Sequence, residues 1–146
     1  QEVLPETFGI GRADMLIRQE DSDYFVKVDT LKDPDPFPDT KMSFVIANPP
    51  FGQAWGGKDA DDGVEDAVKK DHQLFDKTEG RQGRFVATPG TGDAQLLFHL
   101  HALAKLEENG RAAIISNGSP LFSGGTSSGE SQIRRYILSV LQFRHN

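Results

Sequence analysis

Within SFVIANPPFGQAW, from Ser43 to Trp55, an apolar run stops on Asn48, Pro49, Pro50 and Phe51, and a glycine follows at once. An asparagine side chain offers a carbonyl acceptor and an amide donor. Pro49 has no N–H, so its backbone contributes only an acceptor. Asn48 Oδ1 and the Pro49 carbonyl could together accept both hydrogens of a planar amine. The two prolines stiffen the segment, so little ordering entropy remains to be lost on binding. Phe51 provides a face for a flat ring. The set suits an amine carried by an aromatic heterocycle. Hydrogen bonds drawn from that nitrogen help it act as a nucleophile.

Elements on both sides must hold these residues. The apolar positions Phe8, Met15, Leu16 and Ile17 predict a helix over Pro5–Ile17, interrupted by Gly9 and Gly11. Asp21-Ser22-Asp23 reads as a turn, and Tyr24–Val28 as a short strand that stops at Asp29. Asp33–Pro38, with three prolines, is a loop. Met42–Ala47 is a continuous apolar run of strand length, expected to be buried on both faces of a parallel sheet. From Gly52 to Thr91 the pattern fades, with few apolar anchors. This segment is expected to be a long loop with a short helix near Val64–Lys70, and to need DNA or a partner for order. Leu96, Leu97, Leu100, Leu103 and Leu106 share one helical face, so Asp93–Leu106 reads as a helix with Asp93 as its N-cap and Asn109-Gly110 as its stop. Ala112–Ser116 is a second buried strand, Asn117–Gly129 a loop, and Glu130–Leu141 an amphipathic helix. The order is that of an α/β fold with a parallel sheet. Ligands of such sheets bind beyond the carboxyl ends of the strands. Asp29, Asn48 and Ser116-Asn117 are the polar residues expected along that rim.

The 146 residues suffice for one domain, and 36% hydrophobic with 26% charged residues is a globular composition. No apolar run approaches the roughly 18–20 residues that cross a membrane, and there is no signal-peptide pattern. The absence of Cys excludes disulfides and thiolate metal sites and fits a cytoplasmic protein. His72, His99, His101 and His145 show no metal-binding spacing. The net charge of −6 gives no bulk attraction to nucleic acid, so a local basic patch or a partner must supply any phosphate contacts. The basic pairs Lys69-Lys70 and Arg134-Arg135 read as solvated faces. The chain begins at Gln1 rather than Met and reads as a fragment or processed product.

NPPF directly after an apolar strand resembles the catalytic motif of amino-methyltransferases that use S-adenosylmethionine. Around it, QEVLPETFGIGRADMLI, VDTL, GDAQLLFHLHALAKLEENGRAAIISNGSPLFSGG and GESQIRRYIL together resemble the modification subunit of type I restriction–modification systems. These are adenine-specific DNA methyltransferases. The resemblance implies the central and C-terminal part of a Rossmann-like, class I methyltransferase sheet over residues 1–146. It implies that Glu2 holds the ribose hydroxyls of S-adenosylmethionine and that Asp29 accepts from its adenine amine. Asn48 belongs to the cofactor side as well as to catalysis. Asn48 and Pro49 would bind the amine of a flipped-out adenine, Pro50 would hold the loop, and Phe51 would stack on the base. DNA and the specificity and restriction subunits are the implied partners. The family's Gly-rich cofactor loop lies upstream of the position matched by Glu2. The chain alone is therefore expected to bind S-adenosylmethionine weakly and to show little or no activity.

Other readings stand beside these. NPPF also serves methyltransferases of protein glutamine and of RNA. A catalytically inactive assembly module fits a chain without the cofactor loop. Asp29 has the position of a turn former, Glu2 that of a solvated acid, and Asn117 that of a turn residue. Trp55 suits either packing or a base-facing role. TPGTGD lacks the Gly-Lys-Ser/Thr of a phosphate loop and reads as the lead-in to the Asp93 helix.

Overall fold

The computed structural model describes residues 1–75 and 83–143, with side chains as far as Leu141. Its sheet consists of β1 (Met42–Ala47) and β2 (Leu106–Ile114), which run parallel. Phe44, Val45, Ile46 and Ala47 lie opposite Arg111, Ala112, Ala113 and Ile114. One step further, the Ile115 N–H donates to the Ala47 carbonyl at 3.0 Å. The register slips between Met42 and Phe44, and the predicted Asn109-Gly110 stop lies within that irregularity.

Parallel strands require a long crossover. Here it carries α2 (Val64–Gln73) and α3 (Gln95–Lys105). α3 packs on both strands and on α5 (Gly129–Phe143). Its apolar face explains this: Leu96, Leu97 and Leu100 are buried, and Ile133 of α5 is buried with them. The helix is shorter than its leucine spacing predicts, because Leu106 already has extended backbone and opens β2. Lys105 fixes that exit. Its Nζ donates to Asp35 Oδ2 at 2.9 Å and to the Phe37 carbonyl.

Segment 52–91 departs from expectation. Trp55, Val64, Val68, Phe85 and Ala87 are all part of the main core. They are few and scattered in a largely polar stretch: Trp55, Val64 and Val68, and the short run Phe85–Ala87. The expected helix is present as α2. Trp55 is a packing residue, with Nε1 donating to the Gly90 carbonyl at 3.0 Å.

The expectation that β1 is buried on both faces is wrong. Phe44 is 71% exposed and Ile46 86%, because no described element covers that side of the sheet. α1 (Pro5–Ile17) has no buried residue either. Its contact with the next segment is aromatic. Phe8 stacks on Phe25 with ring centroids 5.3 Å apart. Gly11 allows this approach, since a Cβ there would stand 2.7 Å from the Phe25 ring. The strand expected over Tyr24–Val28 reduces to a single parallel bridge, Glu2 with Lys27. The loop expected over Asn117–Gly129 contains a short helix, α4 (Ser119–Phe122). Arg134, expected on a solvated face, donates to the carbonyls of Pro120 and Ser123 at 3.2 and 2.8 Å and ties α4 to α5.

An ionic group sits within this core. Arg84 Nε donates to Asp71 Oδ2 at 2.7 Å, and Nη1 donates to the Thr30 carbonyl at 2.7 Å and to His101 Nδ1 at 2.9 Å. A guanidinium has no acceptor, so His101 Nδ1 must be the acceptor and the ring neutral. Burial first, and then the Arg84 charge, push the His101 pKa down to about 4. In the unfolded chain it titrates near 6.5. Between those values the unfolded chain takes up a proton that the folded chain refuses, so stability falls as pH drops from about 6.5 to about 4. At roughly 1.36 kcal/mol per pH unit, the loss is about 3 kcal/mol. Urea unfolding at stepped pH should show this limb. His101→Gln, which keeps an acceptor for Arg84 but does not titrate, should flatten it. The Asp35 carboxyl is pushed up by burial but held down more strongly by Lys105 and the Phe37 N–H. Its net lowering places its own contribution below this window.

Candidate functional site

β1 delivers Asn48 directly from its last residue, beside the end of β2. Pro49 is buried, whereas Asn48 and Pro50 are exposed and Phe51 is 50% exposed. The buried proline anchors the turn, and Gly52, at φ +64, reverses the chain after it. No described residue donates to the Asn48 side chain or to the Pro49 carbonyl. Asn48 and the Phe51 ring are thus exposed on a stiff turn, and the Asn48 and Pro49 oxygens have no described donor. Backbone bonds fix the far side of this loop: Ala94 N donates to the Gln53 carbonyl at 2.9 Å, and Trp55 N to the Thr91 carbonyl at 2.9 Å.

Glu2 and Asp29 come together through the bridge. Glu2 N donates to the Val26 carbonyl at 3.1 Å, and Val28 N donates to the Glu2 carbonyl at 3.0 Å, one residue before Asp29. Each acid uses one oxygen locally. Glu2 Oε1 accepts from Leu4 N at 2.9 Å, and Asp29 Oδ1 accepts from the N–H groups of Leu31 and Lys32 at 2.9 and 3.1 Å. Asp29 is therefore a turn former. The second oxygen of each, Glu2 Oε2 and Asp29 Oδ2, accepts from no described group. Two neighbouring carboxylates with an open acceptor apiece suit hydroxyl and amine donors. Among the described residues, no ladder joins this bridge to the β1–β2 sheet. The expected rim of three strand ends is thus a pair, Asn48 with Ser116-Asn117, and a separate acidic pair.

At the end of β2, Asn117 is a turn residue, with Oδ1 accepting from Ser119 N at 2.8 Å. Ser116 Oγ lies 3.0 Å from His99 Nε2, whose ring Nδ1 meets the Gln95 carbonyl at 2.8 Å. Sequence reasoning missed the cavity alongside. Its volume is about 250 Å³, and Gly90, Asp93, Gln95, Ser119, Pro120 and Glu130 are among its lining residues. Glu130 Oε1 accepts from Gly90 N at 2.7 Å, and that bond chiefly holds its carboxyl below the usual range. The signal was present in GDAQ, where Asp93 precedes and Gln95 opens the leucine-rich α3.

Comparison with known proteins adds two findings. The family model described as N-6 DNA Methylase matches residues 1–142. The chain is also similar to a solved structure, the methyltransferase subunit of the type I restriction-modification system of Streptococcus thermophilus, at 24% identity and a TM-score of 0.71. That alignment covers 95% of this chain and 26% of the other, so the chain spans about a quarter of that subunit and shares its fold over that part. The match over residues 1–142 decides the family: this chain belongs to the N-6 DNA methylases.

Proposed function

We propose that the chain is a fragment of an adenine-specific DNA methyltransferase, the modification subunit of a type I restriction–modification system, on a Rossmann-like sheet. The observation that carries this reading is the turn Asn48–Phe51 at the end of a parallel strand, with Asn48 and Phe51 exposed, in a chain of the N-6 DNA methylase family. S-adenosylmethionine, when bound, supplies an electrophilic methyl group on a sulfonium. Glu2 and Asp29 fit its ribose hydroxyls and adenine amine, through the carboxylate oxygens left open on each. Asn48 Oδ1 and the Pro49 carbonyl accept the two hydrogens of the target amine and aim its nitrogen lone pair at the methyl. Asn48 thus stands where cofactor and base meet. Phe51 stacks on a base that has left the duplex; such stacking is worth about 1–3 kcal/mol. Pro50 keeps the two acceptors and the ring in one geometry, so positioning dominates catalysis.

The acidic charge of the chain implies that phosphate contacts come largely from elsewhere. A specificity subunit that reads the DNA sequence, and a restriction subunit, fill that role in this reading. The test is a methyl-transfer assay on the intact protein with its specificity subunit. Duplex DNA, RNA and a glutamine-bearing protein are offered in parallel. Methyl-N6-adenine in duplex DNA is the expected product. Transfer to RNA or to protein glutamine alone would overturn the assignment.

A further inference from the structure

We infer that Gln95, supported by Asp93, is a positioning residue that sets the spacing between the Asn48–Phe51 turn and the Asn117–Phe122 segment. Gln95 opens α3, yet it is only 1% exposed. Burying an amide is costly unless every polar atom finds a partner, and a satisfied network then specifies one geometry. Here the network is satisfied. Gln95 Oε1 accepts from Asn117 N at 3.1 Å. Nε2 donates to Asp93 Oδ1 and Oδ2 at 3.1 and 2.9 Å and lies 3.3 Å from Ser119 Oγ. Ser119 Oγ in turn donates to Asp93 Oδ2 at 2.8 Å.

The other side of the same short segment grips the first turn. Ala94 N bonds the Gln53 carbonyl, and the Thr91 and Gly90 carbonyls accept from Trp55 N and Nε1. Residues 90–95 therefore lie between the two strand-end loops. Their backbone holds one loop and the Gln95 and Asp93 side chains hold the other. The sheet joins the loops only at their base, where Ile115 N meets the Ala47 carbonyl. Above that point, this segment sets the distance between them. A helix start needs no buried glutamine for its own sake, since an aspartate before it can satisfy the first N–H groups, as Asp93 Oδ1 does for Gln95 N at 3.1 Å.

The kinetic consequence rests on the proposed function. Misplacing a reacting loop by about 1 Å can cost roughly a hundredfold. In the intact protein, Gln95→Leu should slow single-turnover methyl transfer to duplex DNA about 10–100-fold, while S-adenosylmethionine affinity stays within about twofold. Gln95→Glu keeps the acceptor for Asn117 N but turns a carboxylate oxygen toward Asp93. Two carboxylates in contact share a proton as pH falls. Its rate should therefore start low at pH 8 and recover toward the unsubstituted rate on acidification, a rise the parent does not show. The same protonation restores any lost stability, so the profile counts only where the melting temperature shows the variant fully folded at both pH values.

A second measurement does not depend on activity. The chain has no Cys, so in the intact protein, with any cysteine outside these residues replaced, Gln53→Cys and Leu121→Cys provide exposed sites for spin labels. Adding Gln95→Leu should widen the distance distribution between the labels about twofold. Rates within twofold of the parent for both variants, with an unchanged label distribution, would overturn the proposal even if the melting temperature fell. If the parent transfers no methyl to DNA, the proposed function fails by itself, and the label distances alone decide the role of Gln95.

Discussion

Asn48→Ala is expected to reduce methyl transfer by the intact protein at least about a hundredfold, the usual scale for removing one preorganised hydrogen-bonding group at a reacting centre. The fold should not notice. Asn48 is exposed, and no described residue bonds to its side chain. Surface substitutions of that kind stay within about 0.5 kcal/mol. The loss should therefore appear in the single-turnover rate, with the urea midpoint unchanged. Asn48→Asp keeps acceptor oxygens of the same size and should lose less than Asn48→Ala. Equal rates for Asn48→Ala and the parent would remove the amine-binding role from this residue, and a shifted midpoint would point to a structural one.

The place of that turn at the end of a strand was legible because its parts are adjacent in the chain. Asn48, Pro49, Pro50 and Phe51 carry their geometry with them: two fixed imino acids, one amide and one ring. α3 and α5 were legible for a different reason, since their leucine and isoleucine spacing repeats often enough to define a face. Burial in segment 52–91 was not legible. Trp55, Val64, Val68, Phe85 and Ala87 follow no single period, and the core they join includes Leu96, Leu97, Leu100 and Ile133 of later helices. The exposed side of β1 was hidden for the converse reason. An apolar run such as Phe44–Ala47 reports suitability for burial, not the presence of a cover. The clamp on the second loop was hidden by distance. Gln95 bonds to Asn117 and Ser119, 22 and 24 residues later, and nothing local announces a pairing at that separation.

Arg84→Ala should cost about 3–5 kcal/mol, the range for removing one partner of a buried ion pair. Against a typical total of about 5–15 kcal/mol, that is enough to leave part of the chain unfolded at 37 °C. The Arg84 side chain is 7% exposed and that of its partner Asp71 11%, so both charges are largely shielded from solvent. Three acceptors would be orphaned together: Asp71 Oδ2, the Thr30 carbonyl and His101 Nδ1. The Arg84 N–H also donates to Asp71 Oδ1, and alanine keeps that bond. Replacing both charges, with Arg84→Met and Asp71→Leu, should restore a large part of the loss, because the uncompensated carboxylate disappears as well. The Thr30 carbonyl and His101 Nδ1 would still lack their donor, and the N–H of residue 84 would lose its acceptor on Asp71. Thr30 follows Asp29 directly, so the double variant should remain weaker in binding S-adenosylmethionine than the parent even where its unfolding free energy recovers. Denaturant unfolding and calorimetric titration of the intact protein separate these effects. A single variant within 1 kcal/mol of the parent would mean that the ion pair is dispensable. Full recovery of cofactor binding in the double variant would mean that Arg84 does not hold Asp29 in place.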